Sequence, residues 1–189
     1  MIITIIIISG YVYVLSCLLL KSTDVYELFQ IDLFSILLSF LAGLMSTGFM
    51  TIIEIPFWKR WKLTGILEWH ENQVLTCKIF SLPDNKNYFW GIFLLHFLNG
   101  GLGGIGLLLA LVLIPSLYEI PLLILGLLYG FFLWIITLVP IHKPITGINP
   151  LNHPLGKGPI IISLLGHAIY GITLAIIFLM IIIGICPYN

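Results

Sequence analysis

Glu54, His96 and His167 are the residues whose type and setting could do chemistry, because each stands inside or at the edge of a long apolar run. An ionisable side chain in such a run is costly to leave in lipid, so it faces the interior of a helix bundle and marks a candidate site. Imidazole and carboxylate together are good ligands for zinc, copper or iron, and imidazole titrates near neutral pH. A metal or haem site, or a proton-handling cluster, is therefore one expectation for these three residues. The structural alternative is that each imidazole bonds a backbone carbonyl or hydroxyl, while Glu54 pairs with Lys59, Arg60 or a loop amide. Helical spacing puts His96 on a face with Gly100 and Gly104, and His167 on a face with Gly171 and Ala175. Ser39, Gly43, Thr47, Met50 and Glu54 form a third stripe. Membrane helices approach closely along such small-residue faces, so the three groups are expected to converge near one end of a bundle.

A second cluster, Glu68, His70 and Glu71, lies in EWHENQ. HENQV begins like a zincin HExxH helix, but Val74 stands where the second histidine is required, and no ExxH pair of the di-iron kind is present. A helix facing solvent or a partner is expected instead, with Leu67, His70, Val74 and Cys77 along one side. Just before it, Phe57, Trp58 and Trp61 alternate with Lys59, Arg60 and Lys62, a mixture that suits the headgroup level of a bilayer. Trp58, Lys59, Arg60, Trp61, Glu68, His70 and Glu71 then read as one interfacial docking surface. His142 and His153 flank a proline-rich loop as a candidate ligand pair. The glycines of Asn99 to Gly106 sit inside an apolar span and serve helix packing, not phosphate binding. No Ser/His/Asp arrangement is present, and no catalytic residue is assigned. Cys17, Cys77 and Cys186 form no CxxC motif and read as apolar fillers.

The elements that must position these residues follow from composition. At 189 residues, 60% hydrophobic, 8% charged and with a mean hydropathy of +1.14, the chain has too little polar surface for a soluble domain. It reads as an all-α, multi-pass integral membrane protein of the cell membrane, a single domain surrounded by lipid bilayer. Five runs are long enough to cross about 30 Å of hydrocarbon. They are placed near Ile2 to Leu20, Leu33 to Ile55, Phe89 to Pro115, Pro121 to Ile141 and Pro159 to Ile185, with Pro56 turning the chain into a loop over 56–88. The run at the N-terminus lacks a preceding base and a small-residue cleavage site, so it reads as a retained helix. Net charge is zero and the bases are dispersed, which argues against a nucleic-acid partner.

Most Lys and Arg residues fall in the loop 56–88 and the connection 142–158, which places the N-terminus inside and the C-terminus outside. Phe49 to Gly65, FMTIIEIPFWKRWKLTG, compares with Phe132 to Gly147, FLWIITLVPIHKPITG, and HFLNG at His96 compares with HAIYG at His167. The two stretches suggest a parallel repeat of two hairpins about an axis along the membrane normal.

TGFM at Thr47, EIPFWKRW at Glu54 and EWHENQ at Glu68 resemble a group of small archaeal multi-pass membrane proteins that bring no established activity. The Ile-rich composition is similar to that of AT-rich archaea, including ammonia oxidisers. That resemblance implies a non-catalytic accessory subunit of a larger membrane enzyme complex, an ammonia monooxygenase or a respiratory oxidase, with other membrane subunits as partners. The alternative expectation is a stand-alone metal- or haem-binding protein using Glu54, His96 and His167.

Overall fold

A computed structural model describes residues 31–185, which are all-helical and include four helices long and apolar enough to cross a membrane. The first expected span, Ile2 to Leu20, and Cys17 and Cys186 lie outside the described residues. Helix α1 (Leu33–Trp61) is followed by a 3-10 turn and α2 (Leu67–Ile79). Helix α3 (Phe89–Leu113) leads through a second 3-10 turn to α4 (Leu122–Thr137). A π turn (Leu138–His142), the single-turn α5 (Lys143–Thr146) and a short 3-10 turn precede α6 (Gly158–Ile185).

Helix α1 starts where Asp32 accepts a 2.6 Å bond from the Ser35 amide, which holds this exposed carboxyl below its usual range. Contrary to expectation, Pro56 does not turn the chain, and α1 runs on to Trp61. A proline removes only its own N–H bond to the carbonyl four residues back, and so close to the helix end little remains to be disrupted. The reversal comes at Lys62, with φ 60°. The outer face of α1 carries Leu37, Leu41, Met45, Phe49 and Ile52, while Ser35, Ser39, Ser46 and Thr47 are buried. A membrane helix sorts this way because lipid solvates apolar side chains well, and close backbone approach needs small residues inside.

Two tight helix pairs result. A Cβ added to Gly43 would lie 2.2 Å from the Gly100 carbonyl oxygen, and one on Gly104 would lie 2.0 Å from that of Ser39, so α1 and α3 cross almost backbone to backbone. In the same manner a Cβ on Gly126 would lie 2.4 Å from the Gly171 oxygen, and one on Gly130 2.2 Å from that of His167, joining α4 to α6. Helix α1 also packs against α6. Between α3 and the second pair, Tyr170 and Tyr129 donate hydrogen bonds of 2.6 and 2.7 Å to the carbonyls of Gly100 and Gly103. One core, around Leu107, Leu111, Leu174 and Phe178, fills the bundle far from α2. A second, of Leu63, Ile66, Trp69, Ile92 and Ile162, seats α2 over the other end.

Candidate functional site

The α1–α3 crossing carries His96 against α1, where its Nε2 lies 3.0 Å from Thr51 Oγ1 and 3.9 Å from Glu54 Oε2. The Thr51 hydroxyl donates its proton to the Thr47 carbonyl at 2.7 Å. Its oxygen must therefore accept from His96 Nε2–H, which assigns the tautomer from the partners and leaves Nδ1 as an acceptor. Glu54 is fully buried, and among the described residues neither carboxyl oxygen has a partner within 3.5 Å and good hydrogen-bond geometry. Space for it comes from α6, because a Cβ on Gly166 would stand 2.9 Å from Glu54 Oε1.

On α6, His167 Nδ1 donates to the Ser163 carbonyl at 2.9 Å, so Nε2 carries the lone pair, 3.5 Å from Thr137 Oγ1. The Ser163 hydroxyl donates to Glu68 Oε1, an oxygen that also lies 3.4 Å from His167 Nδ1. A third pair comes from the π turn. This wider turn, which contains Pro140, swings His142 inward until it is buried, with Nδ1 3.6 Å from Glu71 Oε2. Among the described residues neither His142 nitrogen has a hydrogen-bond partner. Glu54–His96, Glu68–His167 and Glu71–His142 thus form three acid–imidazole pairs at the α2 end of the bundle.

The structure divides the expected ligand set: Glu54 goes with His96, and His167 goes with Glu68. Among the described residues no group of three or more His, Cys, Asp or Glu could hold a metal ion. Both histidines make the hydroxyl or carbonyl bonds of the structural alternative, and Glu54 meets His96 instead of a base or loop amide. The seven residues read as a docking surface differ in exposure. Only Lys59 and Arg60 are exposed; Trp58 packs on Trp69 and Phe89, and Trp61 lies against Phe57 and over Gly65 and Gly158. Glu68 and Glu71 turn into the bundle, and His70 stands 6.0 Å from the His142 ring.

The buried face of α2 is Leu67, Trp69, Asn72, Gln73, Thr76 and Cys77, not the Leu67, His70, Val74, Cys77 stripe. Apolar periodicity missed it because this face covers a polar chamber, where Glu and Asn are at home. A readable signal did exist: Glu68, Glu71 and Asn72 share a helical face at spacings of three and four, in a chain with few charges. Nor do His142 and His153 form a ligand pair, since His153 Nε2 donates to the Thr64 carbonyl at 2.9 Å and Nδ1 accepts from the Leu155 amide at 3.1 Å.

Glu68, Glu71, His96, His142 and His167 of these pairs line a cavity of about 140 Å³, and Glu54 lies outside its wall. Its roof is α2 with Leu67, Glu68, Glu71 and Asn72; its floor is Gly100, Gly103 and Tyr170; His96, His142 and His167 stand in its walls. Pockets for drug-sized ligands run to roughly 300–1,000 Å³, so this one suits a molecule of a few heavy atoms, or several waters at about 30 Å³ each. Outside the spans, burial, then the neighbouring His142 and His153, lowers the His70 pKa to about 4. Burial also lowers His153, against the opposing bond to Thr64. The buried Cys77 thiol is raised by burial and then by Asp84. No family model, curated protein or solved structure matches the chain.

Proposed function

We propose that this chain is a solute-binding membrane protein, working as a small carrier does, with the cavity between its two helix pairs as the binding site. The observation that carries the proposal is the convergence of Glu68, Glu71, His96, His142 and His167 on one chamber under α2, with Glu54 3.9 Å from His96. Ionisable groups inside a membrane bundle are expensive, and where they line a chamber they mark a solute or ion path. The paired crossings support a duplicated hairpin. Gly43 meets Gly100 as Gly126 meets Gly171, and the offsets match those that align Phe49 with Phe132 and His96 with His167. Carriers built from repeats hold their solute at the repeat interface. In this proposal the chain has five spans, and the base-rich α2 end faces the cytoplasm of the cell membrane.

The accessory-subunit reading, in an ammonia monooxygenase or respiratory oxidase, rests on composition and resemblance. Co-purification from native membranes tests it separately. For the carrier reading, Thr137→Cys in a chain with Cys17, Cys77 and Cys186 replaced by serine is treated with a small water-soluble thiosulfonate in sealed vesicles of each orientation. Labelling from the α2 face is expected. A thiol that reacts from neither face would show that the cavity has no aqueous connection, and the proposal would fail.

A further inference from the structure

The donors and acceptors around the cavity are unequally committed. Four hydroxyls line it, and every one spends its proton within the protein: Thr47 on the Gly43 carbonyl at 2.8 Å, Thr137 on that of Leu133 at 2.9 Å, Tyr170 on that of Gly100 at 2.6 Å, and Ser163 on Glu68. A hydroxyl that has donated can offer only lone pairs. The imidazoles behave alike, since His96 Nε2–H is used by Thr51 and His167 Nδ1–H by Ser163. On the acceptor side, among the described residues Glu68 Oε2 is buried without a hydrogen-bond partner, and Glu71 meets the His142 ring 3.6 Å away. His142, 1% exposed, stands in the wall with neither nitrogen bonded. Among the described residues no Lys or Arg lines the chamber, and the amides of Asn72 and Asn99 and one His142 nitrogen are left as donors.

We infer that the cavity selects a small organic cation rich in N–H donors, a protonated primary amine or an amidinium-type group, held between Glu68 and Glu71. This deepens the carrier reading and rests on it. A donor cation meets the unpartnered Glu68 oxygen, the second carboxylate and the committed hydroxyls at once. An anion would meet carboxylates and lone pairs, with no fixed positive charge to compensate. The volume of about 140 Å³ limits the body of the ligand to a few heavy atoms.

The test uses the full chain in phosphatidylcholine nanodiscs at pH 7, with methylammonium, guanidinium, urea and acetate as separate probes in equilibrium binding. Saturable binding of methylammonium or guanidinium, one per chain, with neither urea nor acetate bound, is the expected result. Glu68→Gln should weaken the cation by roughly 10- to 100-fold, the range for losing one charge-assisted hydrogen bond. Glu71→Gln should also weaken it, and an unchanged Trp emission spectrum shows in each case that α2 is still seated. Binding of urea or acetate that Thr137→Trp blocks would overturn the cation assignment while leaving the cavity a binding site. If no probe of any charge binds, the inference and the carrier reading fall together. Cation binding that both glutamine variants leave intact would also overturn the assignment.

Discussion

The two helix crossings make the sharpest structural prediction, because their tolerance can be worked from distances. In Gly43→Ala the new methyl would sit 2.2 Å from the Gly100 carbonyl oxygen, where ordinary contact begins at 3.4 Å. The obstacle is backbone in the middle of a helix, so relief requires α3 to move as a unit, dragging His96 away from Thr51 and Glu54. Gly126→Ala is the counterpart, 2.4 Å from the Gly171 oxygen. Gly48→Ala is the control, on the same helix as Gly43, with only a Phe97 ring carbon at 4.0 Å. Alanine in place of a helical glycine contributes up to about 1 kcal/mol by itself. Overpacking a tight site costs about 1–3 kcal/mol. The propensity gain is common to all three, so the two crossing variants should fall roughly 1–3 kcal/mol below the control, on the order of 2–12 °C in Tm for a chain of this size. The assay is thermal unfolding in nanodiscs, followed by Trp emission. Equal melting temperatures for all three variants would refute the backbone-to-backbone crossings and the equivalence of the two pairs.

Trp69, 1% exposed and edge-on to Phe93, anchors α2; Trp69→Ala should cost about 3–5 kcal/mol of the seating of that helix. The readout is maleimide labelling of Cys77 with Cys17 and Cys186 replaced by serine: slow in the parent, since the thiol is buried and its pKa raised, and at least tenfold faster in the variant. Equal rates would show that Trp69 does not hold α2 down. Thr51→Val removes the acceptor of His96 Nε2–H and should cost about 1–3 kcal/mol, whereas Thr51→Ser should be nearly silent; a silent valine variant would count against the assigned tautomer. His70 has a folded pKa of about 4, below the ordinary 6.5, so the unfolded chain binds a proton that the folded chain refuses. Its contribution is fully present above pH 6.5 and is lost as pH falls from there toward 4. His70→Gln should flatten the decline in melting temperature across that window, and an unaltered pH profile would contradict the burial of the ring.

The amino-acid order alone determined the helical membrane class, because long apolar runs without a barrel's alternating polarity can satisfy their backbone in lipid only inside helices. It also determined the faces that meet. Ser39, Gly43 and Thr47 on one side, and Gly100 with Gly104 or Gly171 with Ala175 on the other, are legible because close approach demands small residues at helical spacing. The internal match of Phe49 with Phe132 and His96 with His167 was likewise readable. Pairing was not. Glu54, His96 and His167 were each recognised as buried, yet which acid met which imidazole depended on α2, whose position is set by contacts of Trp69 and Ile66 with residues distant in sequence. Periodicity reports whether a face is apolar, and α2 turns a polar face inward, so Glu68 and Glu71 looked solvated until the bundle supplied the chamber they line. His142 reached the same chamber through a single widened turn, a change of backbone path that residue type at Leu138 to His142 does not announce. Only the tertiary structure decided that the acids and imidazoles form three pairs and that five of these six residues line one cavity, because direction of approach is a property of packed helices and not of any one of them.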